Sequence, residues 1–310
     1  MLKTNLTETI KEARIKLNLT QMQMAEKFGI DEKTYRSLEQ GKSSVEMGQL
    51  LTLLELQGLS ADYLWTILLK SDDYKIQRLH IDLKRHISNE SYAKVKKSIE
   101  SLELFDLSRK IMSRQLVAYA KIVLAVEAGE INNKTAISQL KDALQMTISS
   151  FDETKISSYK LTHNEVLIVI EISRISTKSN DMNDMNRSLK MLEALIKNRD
   201  SSLIDEIERA RLYPTLYLSL SIILTKMGKH DEALTACQTA LKICRKYQNF
   251  IHSPQIQHYL AYSHFMLGEE ERIYRPHLER AYHCAYAMGL YDLGEKIKKS
   301  AEEDFSINNF

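Results

Sequence analysis

Three landmarks near the C-terminus of this chain recur at a fixed spacing. Gly228, Cys237 and Ala240 reappear as Gly268, Leu278 and Ala281, forty or forty-one residues later. A recurrence of that length, carried by small and apolar residues, marks supersecondary units that cannot bury their own apolar faces and must stack. In LSLSIILTKMGKHDEALTACQTALKICRKY a helix ends at Met227-Gly228, and its partner carries Ala233, Cys237, Ala240 and Leu241. The segment IQHYLAYSHFMLGEEERIYRPHLERAYHCAYAMG has the same layout. LVAYAKIVLAVEAGEINNKTAISQLKDALQM is a degenerate copy built on Gly129, Ala136, Leu140 and Ala143, and helices roughly over 161–178 and 183–198 form another pair. Small residues such as Ala233 and Ala240 belong where paired helices approach closely. Stacked pairs offer a concave surface lined by the first helix of each.

Nine Gly and three Pro in 310 residues fall far below average usage of roughly 7% and 5%. That leaves too few turn residues for a strand-rich fold, so the class is all-α. The length suits two domains, a small module over 1–70 and a larger repeat body over 75–310. Three Cys without paired spacing predict a reducing compartment and no disulfide framework. The N-terminus lacks a signal-peptide core, and no apolar run reaches the about 18 residues of a membrane span, so a soluble, cytoplasmic protein without a membrane partner is expected.

Net charge is only +2, so any nucleic-acid role must rest on local placement. Residues 75–121 hold eleven Lys/Arg against five acids. They read either as a solvated helix face or as a phosphate-facing flank.

The first forty residues carry sharper signals. Leu6, Ile10, Ala13 and Leu17 mark an amphipathic helix ending near Asn18. Thr20 caps a second helix that puts Met24, Ala25 and Phe28 on one face, and Gly29 breaks it. Asp31 caps a third, DEKTYRSLEQG, with Tyr35 and Leu38 inward, Glu32, Lys33, Thr34 and Arg36 outward, and Gly41 as its stop. Two short helices joined through Gly29-Ile30-Asp31 have the spacing of a helix-turn-helix, whose second helix enters the DNA major groove.

Residues 5–69 resemble the phage-repressor-type helix-turn-helix of xenobiotic-response-element regulators. Leu19-Thr20-Gln21, Met24 to Ile30 and Leu38 to Lys42 carry the likeness; Met47, Leu50, Leu51, Leu54 and Leu56 supply a fourth helix, and Tyr63, Leu64, Trp65 and Leu68 a fifth. The resemblance implies that Gln21 anchors the DNA backbone and that Glu32 and Lys33 read bases. Gln40 and Lys42 would contact phosphate. Arg36, a turn beyond Lys33, suits a guanine edge or a phosphate, because an arginine fork fits both. Glu32 is equally placed to favour the helix dipole, and Glu39 to pair internally with Arg14.

The recurring pairs are similar to tetratricopeptide repeats. The expected architecture is thus a repressor-type helix-turn-helix bundle followed by a tetratricopeptide-like α-solenoid. That combination resembles the Rgg-like peptide-pheromone receptors of Gram-positive bacteria. The resemblance implies a non-enzymatic quorum-sensing regulator that binds double-stranded DNA as a homodimer and answers a short signalling peptide, with no cofactor. Polar positions on presumed first helices, Asn164, Glu171, Arg211 and Gln257, are the candidate peptide contacts. A ligand-independent repressor of a mobile element and a helical-repeat scaffold remain alternatives.

Catalytic signals are wanting: HExxH, CxxC, GxSxG and Gly-rich phosphate loops do not occur. The pairs His252/His258, His258/His264 and His277/His283 are six apart, which puts the two rings on different helix faces and disfavours shared metal ligation. Cys237 and Cys244 share a face, but two helical turns set them about 10 Å apart along the axis, too far to bridge. Tyr259, Tyr262, Tyr274, Tyr282, Tyr286 and Tyr291 are expected in repeat cores.

Overall fold

The computed structural model describes residues 2–43, 45–57, 72–179, 181–197 and 206–307, and all regular structure in these residues is helical. The expected fifth helix with Tyr63, Leu64, Trp65 and Leu68 lies outside them, as does the side chain of Leu6. The chain divides into two compact units, Met1–His86 with Lys97–Asp106, and Ile87–Lys96 with Leu107–Phe310.

In the first unit α1 (Leu2–Lys16), α2 (Gln21–Phe28), α3 (Glu32–Glu39) and α4 (Met47–Leu56) follow one another, then α5 (Asp72–Ser88) as far as His86. This unit therefore runs past the break read from the sequence near residue 71. Each boundary has a local cause. Asn18, at φ 55, ends α1 in the left-handed region. Thr20 and Gln23 form a reciprocal capping box at the start of α2, satisfying two otherwise orphaned N–H groups. Gly29 closes α2 at φ 68, a conformation costly for residues with a Cβ. Ile10, Ala13, Met24, Ala25, Tyr35 and Leu53 make the core, with Phe28 meeting Tyr35 edge-on at 5.5 Å. In α4 the buried stripe is Leu50, Leu53 and Leu54, at i, i+3 and i+4, whereas Met47 and Leu51 are exposed.

The second unit is a succession of helix pairs. After α6 (Tyr92–Glu103), which begins in it, come α7 (Ile111–Glu127) with α8 (Asn133–Gln145), a 3-10 turn Glu153–Ser158, and α9 (His163–Ser179) with α10 (Met182–Lys197). Then follow α11 (Glu206–Lys226) with α12 (His230–Tyr247), α13 (Ser253–Met266) with α14 (Glu271–Ala287), and a last helix α15 (Tyr291–Phe305). The helix pairs predicted around Gly129, Gly228 and Gly268 are all present, each glycine at positive φ in the turn. Ala136, Leu140, Ala233, Cys237, Ala240, Leu278 and Ala281 are fully buried where helices meet. Both Cys237 and Cys244 are free and buried, and burial pushes each thiol up to about 11, so they behave as small apolar groups.

Tyr274 is core, with Phe265 and Phe305 against its ring. Tyr291 departs from the expectation at 61% exposed. Among the described residues no helix is long and apolar enough to cross a membrane.

Candidate nucleic-acid interface and repeat-domain cleft

The outward face of α3 is assembled by its own N-cap. Asp31 accepts from the backbone N–H of Thr34 at 3.0 Å and from Thr34 Oγ1 at 2.6 Å, which fixes the first turn. Those bonds stabilise the ionised carboxyl and hold it below the usual carboxylate range. Thr34 is thus tied to its cap. Glu32, Lys33 and Arg36 are exposed beside it, as are Gln40 and Lys42 beyond the helix end.

These side chains differ in how free they are. Arg36 Nη2 is 2.8 Å from Glu32 Oε1, one turn earlier, and its Nε donates to Gln21 Oε1 at 3.4 Å. Gln21 in turn donates its amide to Glu39 Oε2 at 2.7 Å. Lys33 is exposed and, among the described residues, unpaired. On α3 itself Lys33 is thus free among the described residues, whereas Arg36 is paired within the helix.

Behind that face sits Glu39, whose side chain is 4% exposed. Arg14 Nε donates to it at 2.6 Å and Tyr35 Oη at 3.0 Å, while Arg14 Nη1 reaches the Leu19 carbonyl at 2.9 Å. The internal Glu39–Arg14 pair read from the sequence is formed. Burial pushes the Glu39 carboxyl up, but hydrogen bonds from Arg14, Gln21 and Tyr35 outweigh it and hold the group below its ordinary value. Burial, then the neighbouring Glu39 charge, drives the Tyr35 hydroxyl the other way, so it stays a donor.

In the repeat unit a cleft of about 160 Å³ is lined by Tyr119 and Val123 of α7, Ile170, Glu171, Ser173 and Arg174 of α9, Leu218 and Ile222 of α11, and His252 with Gln255 at the start of α13. These are the first helices of successive pairs, the surface that stacking predicts. Ile87, Ser88, Glu90 and Tyr92 complete the wall. Arg174 lies in it with Nε on Glu171 Oε2 at 2.9 Å and Nη2 on Glu171 Oε1 at 2.6 Å and on Glu127 Oε1 at 2.9 Å. Lys178 Nζ adds a contact to the same Glu127 oxygen at 2.8 Å. Burial opposes the Arg174 charge, yet the two carboxylates raise its pKa above the ordinary arginine value. Two cations and two carboxylates thus form a locally neutral cluster that fixes the guanidinium plane.

Of the four polar positions singled out for a peptide, Glu171 alone lines this cleft. Asn164 is 5% exposed and gives its amide to the Met112 carbonyl at 3.0 Å. Gln257 is 7% exposed and pairs with His277 Nδ1 at 2.6 Å. Arg211 is exposed on α11 and does not line the cleft. Sequence reasoning missed Tyr119, Ser173 and Arg174. The Glu171/Arg174 spacing of three was the available signal for the last. Among the described residues no group of three His, Cys, Asp or Glu side chains is arranged to hold a metal ion.

The fold and these surfaces define a helix-turn-helix head on a helical-repeat body. Residues 7–66 match the family described as a helix-turn-helix domain. No curated protein matches the chain in sequence. Among solved structures, PlcR of Bacillus thuringiensis in complex with the peptide PapR7 and DNA is similar over 95% of this chain and 99% of its own, at 14% identity and a TM-score of 0.71. ComR from S. thermophilus, with DNA and its signalling peptide ComS, is similar over 96% and 98% at 12% identity and 0.57. The SHP pheromone receptor Rgg2 of Streptococcus dysgalactiae is similar over 96% and 99% at 14% and 0.57. At such identities the likeness is one of fold, and it extends over 95–96% of the chain.

Proposed function

We propose that this chain is a cytoplasmic, DNA-binding transcription regulator whose repeat body binds a short signalling peptide and thereby modulates operator binding. In this reading residues 1–70 are the DNA-binding head, and 75–310 the ligand-binding and dimerisation body of a homodimer without enzymatic activity. The carrying observation is the presence in one chain of a helix-turn-helix over 7–66 and a cleft lined by the first helices of successive pairs. PlcR and ComR, which share the fold, are seen holding both a peptide and DNA, and this supports assigning both partners here. Lys33, Arg36 and Glu32 then face base edges, with Thr34 packed against its cap, and Gln21, Gln40 and Lys42 meet the DNA backbone. Glu171 serves the peptide site by holding Arg174, and Arg211, Asn164 and Gln257 flank it or brace its helices.

The test is fluorescence anisotropy of the full chain on its own upstream DNA, at fixed salt, with and without the low-mass fraction of spent culture medium. Fixed salt is essential because phosphate contacts make affinity steeply dependent on ionic strength. Specific binding that shifts with the fraction is expected. Specific but indifferent binding points to a ligand-independent repressor, and no specific binding overturns the reading in favour of a scaffold.

A further inference from the structure

The cleft continues beyond His252 and Gln255. Ser88, Glu90, Tyr92 and Gln255 line it and also line a second, larger hollow of about 680 Å³ within the same unit, closed on its other side by the turn after α14 and the first turns of α15. Sharing four wall residues makes the two hollows one trough.

Its ends differ in chemistry. At the α9 end the wall is largely apolar, and Glu171 and Arg174 neutralise one another. Ser173 lines the cleft there with a buried hydroxyl that, among the described residues, has no hydrogen-bond partner. Leaving such a group unpaired is costly, and a ligand's polar atom would relieve it.

At the α15 end acids outnumber bases. Among the described residues, Glu90, Asp292 and Glu295 line it against Lys296 alone. Glu295 accepts the Tyr286 hydroxyl hydrogen bond. Lys296 Nζ stands 3.5 Å from Glu90, with the two side chains 70% and 53% exposed, a pair of little strength. Asp292 is exposed and, among the described residues, has no ion-pair partner.

Resting on the peptide-binding reading, we infer that the trough selects a short peptide with apolar residues at the α9 end and a positive charge over Asp292 and Glu90. That charge is a Lys or Arg side chain or a free N-terminal ammonium. An apolar wall removes hydrocarbon from water whatever the sequence, so it discriminates weakly; the acidic end supplies the distinction between ligands of similar greasiness.

The experiment uses three pools of acetylated, amidated heptapeptides carrying an uncharged dye. Five positions are drawn from Leu, Ile, Val and Phe, and a Lys-Lys, Gln-Gln or Glu-Glu pair sits at either end. Polarisation with the full chain should show the basic pool binding at least fivefold more tightly than the neutral one, and the acidic pool most weakly. The double variant Glu90→Gln/Asp292→Asn should shrink the basic preference below twofold, and Lys296→Ala should enlarge it. All pools binding within twofold, or a basic preference untouched by the double variant, overturns the charge assignment and leaves the peptide reading standing. Binding by none of the pools removes both.

Discussion

Glu39 is the most connected side chain of the head, so removing it is the sharpest test of how that unit is held together. Glu39→Ala deletes the acceptor for Arg14 Nε, Gln21 Nε2 and Tyr35 Oη at once. It also leaves the Arg14 guanidinium, 16% exposed, without its counter-ion. Breaking one side of a buried ion pair costs about 3–5 kcal/mol, and the lost hydrogen bonds are not additive because they share one carboxylate. Arg14 keeps the Leu19 carbonyl and some access to water, which puts the expected loss near the lower end, about 3 kcal/mol. The loss belongs to the head, so amide hydrogen exchange over residues 10–38 is the assay. Protection there should fall by about two orders of magnitude, while α12 to α15 are unchanged. Replacing both partners, Arg14→Met with Glu39→Met, should recover most of it, because no unpaired charge remains. Unchanged protection in the single variant, or a double variant as weak as the single, would refute this account. Since the folded-state pKa of Glu39 is lowered, its contribution is present at neutral pH and disappears as pH falls below about 4.5 through that lowered value.

Lys33→Ala should weaken binding to the operator and reduce the slope of log affinity against log salt by about 1 if it contacts phosphate; a slope unchanged with relaxed sequence preference would assign it to a base instead, and no effect of either kind would remove it from the interface. Gly294→Ala places a Cβ 2.5 Å from Tyr286 Cε2, inside any tolerable contact. The ring must move and release Glu295, so thermal unfolding should shift by an overpacking cost of about 1–3 kcal/mol, and an unchanged midpoint would mean that α14 and α15 part easily. Burial pushes His258 down to about 4 against the opposing pull of Asp304, and burial with Arg280 and His264 does the same to His277. Their folded-state pKa values lie below the unfolded one, so both favour the fold above about pH 6.5 and lose that support as pH drops toward 4. At pH 5.5 each should cost about 1 kcal/mol relative to pH 7.5, seen as a falling urea midpoint that His258→Gln makes shallower.

The helices were readable wherever one face meets water. Thr20, Gly29 and Asp31 act through hydrogen bonds to neighbours within three residues, or through their own φ, so their roles are written locally. The forty-residue recurrence of Gly and Ala was readable because close helix packing admits few residue types. The peptide candidates fared differently, and α9 shows why. Asn164, Glu165, Val166 and Ile168 to Ser173 are all buried, so this helix has protein on nearly every side and no solvated face to single out. A polar residue in such a helix points inward as readily as outward: Asn164 braces a carbonyl fifty-two residues away, and Glu171 clamps an arginine. The partner of Asn164 is distant in sequence and no spacing rule reaches it, whereas that of Glu171 lies one turn on, so only the clamp and not the cleft was legible. In α4, Met47 and Leu51 help mark the helix in the sequence, yet its buried stripe is Leu50, Leu53 and Leu54.

Arg36 enters any encounter with a polyanion already occupied. Its guanidinium is held by Glu32 and leans on Gln21, which is itself held by Glu39. A phosphate or a base that takes up this arginine displaces an exposed i,i+4 pair worth about 0.3–0.5 kcal/mol, so the side chain works as a slight exchange and not as a simple attraction. Random stretches of backbone, offering only charge, recover little from the trade, while a sequence that also gives Glu32 a donor settles both residues at once. In the proposed reading, the acid on the outward face of α3 thereby adds a small bias against wrong sites.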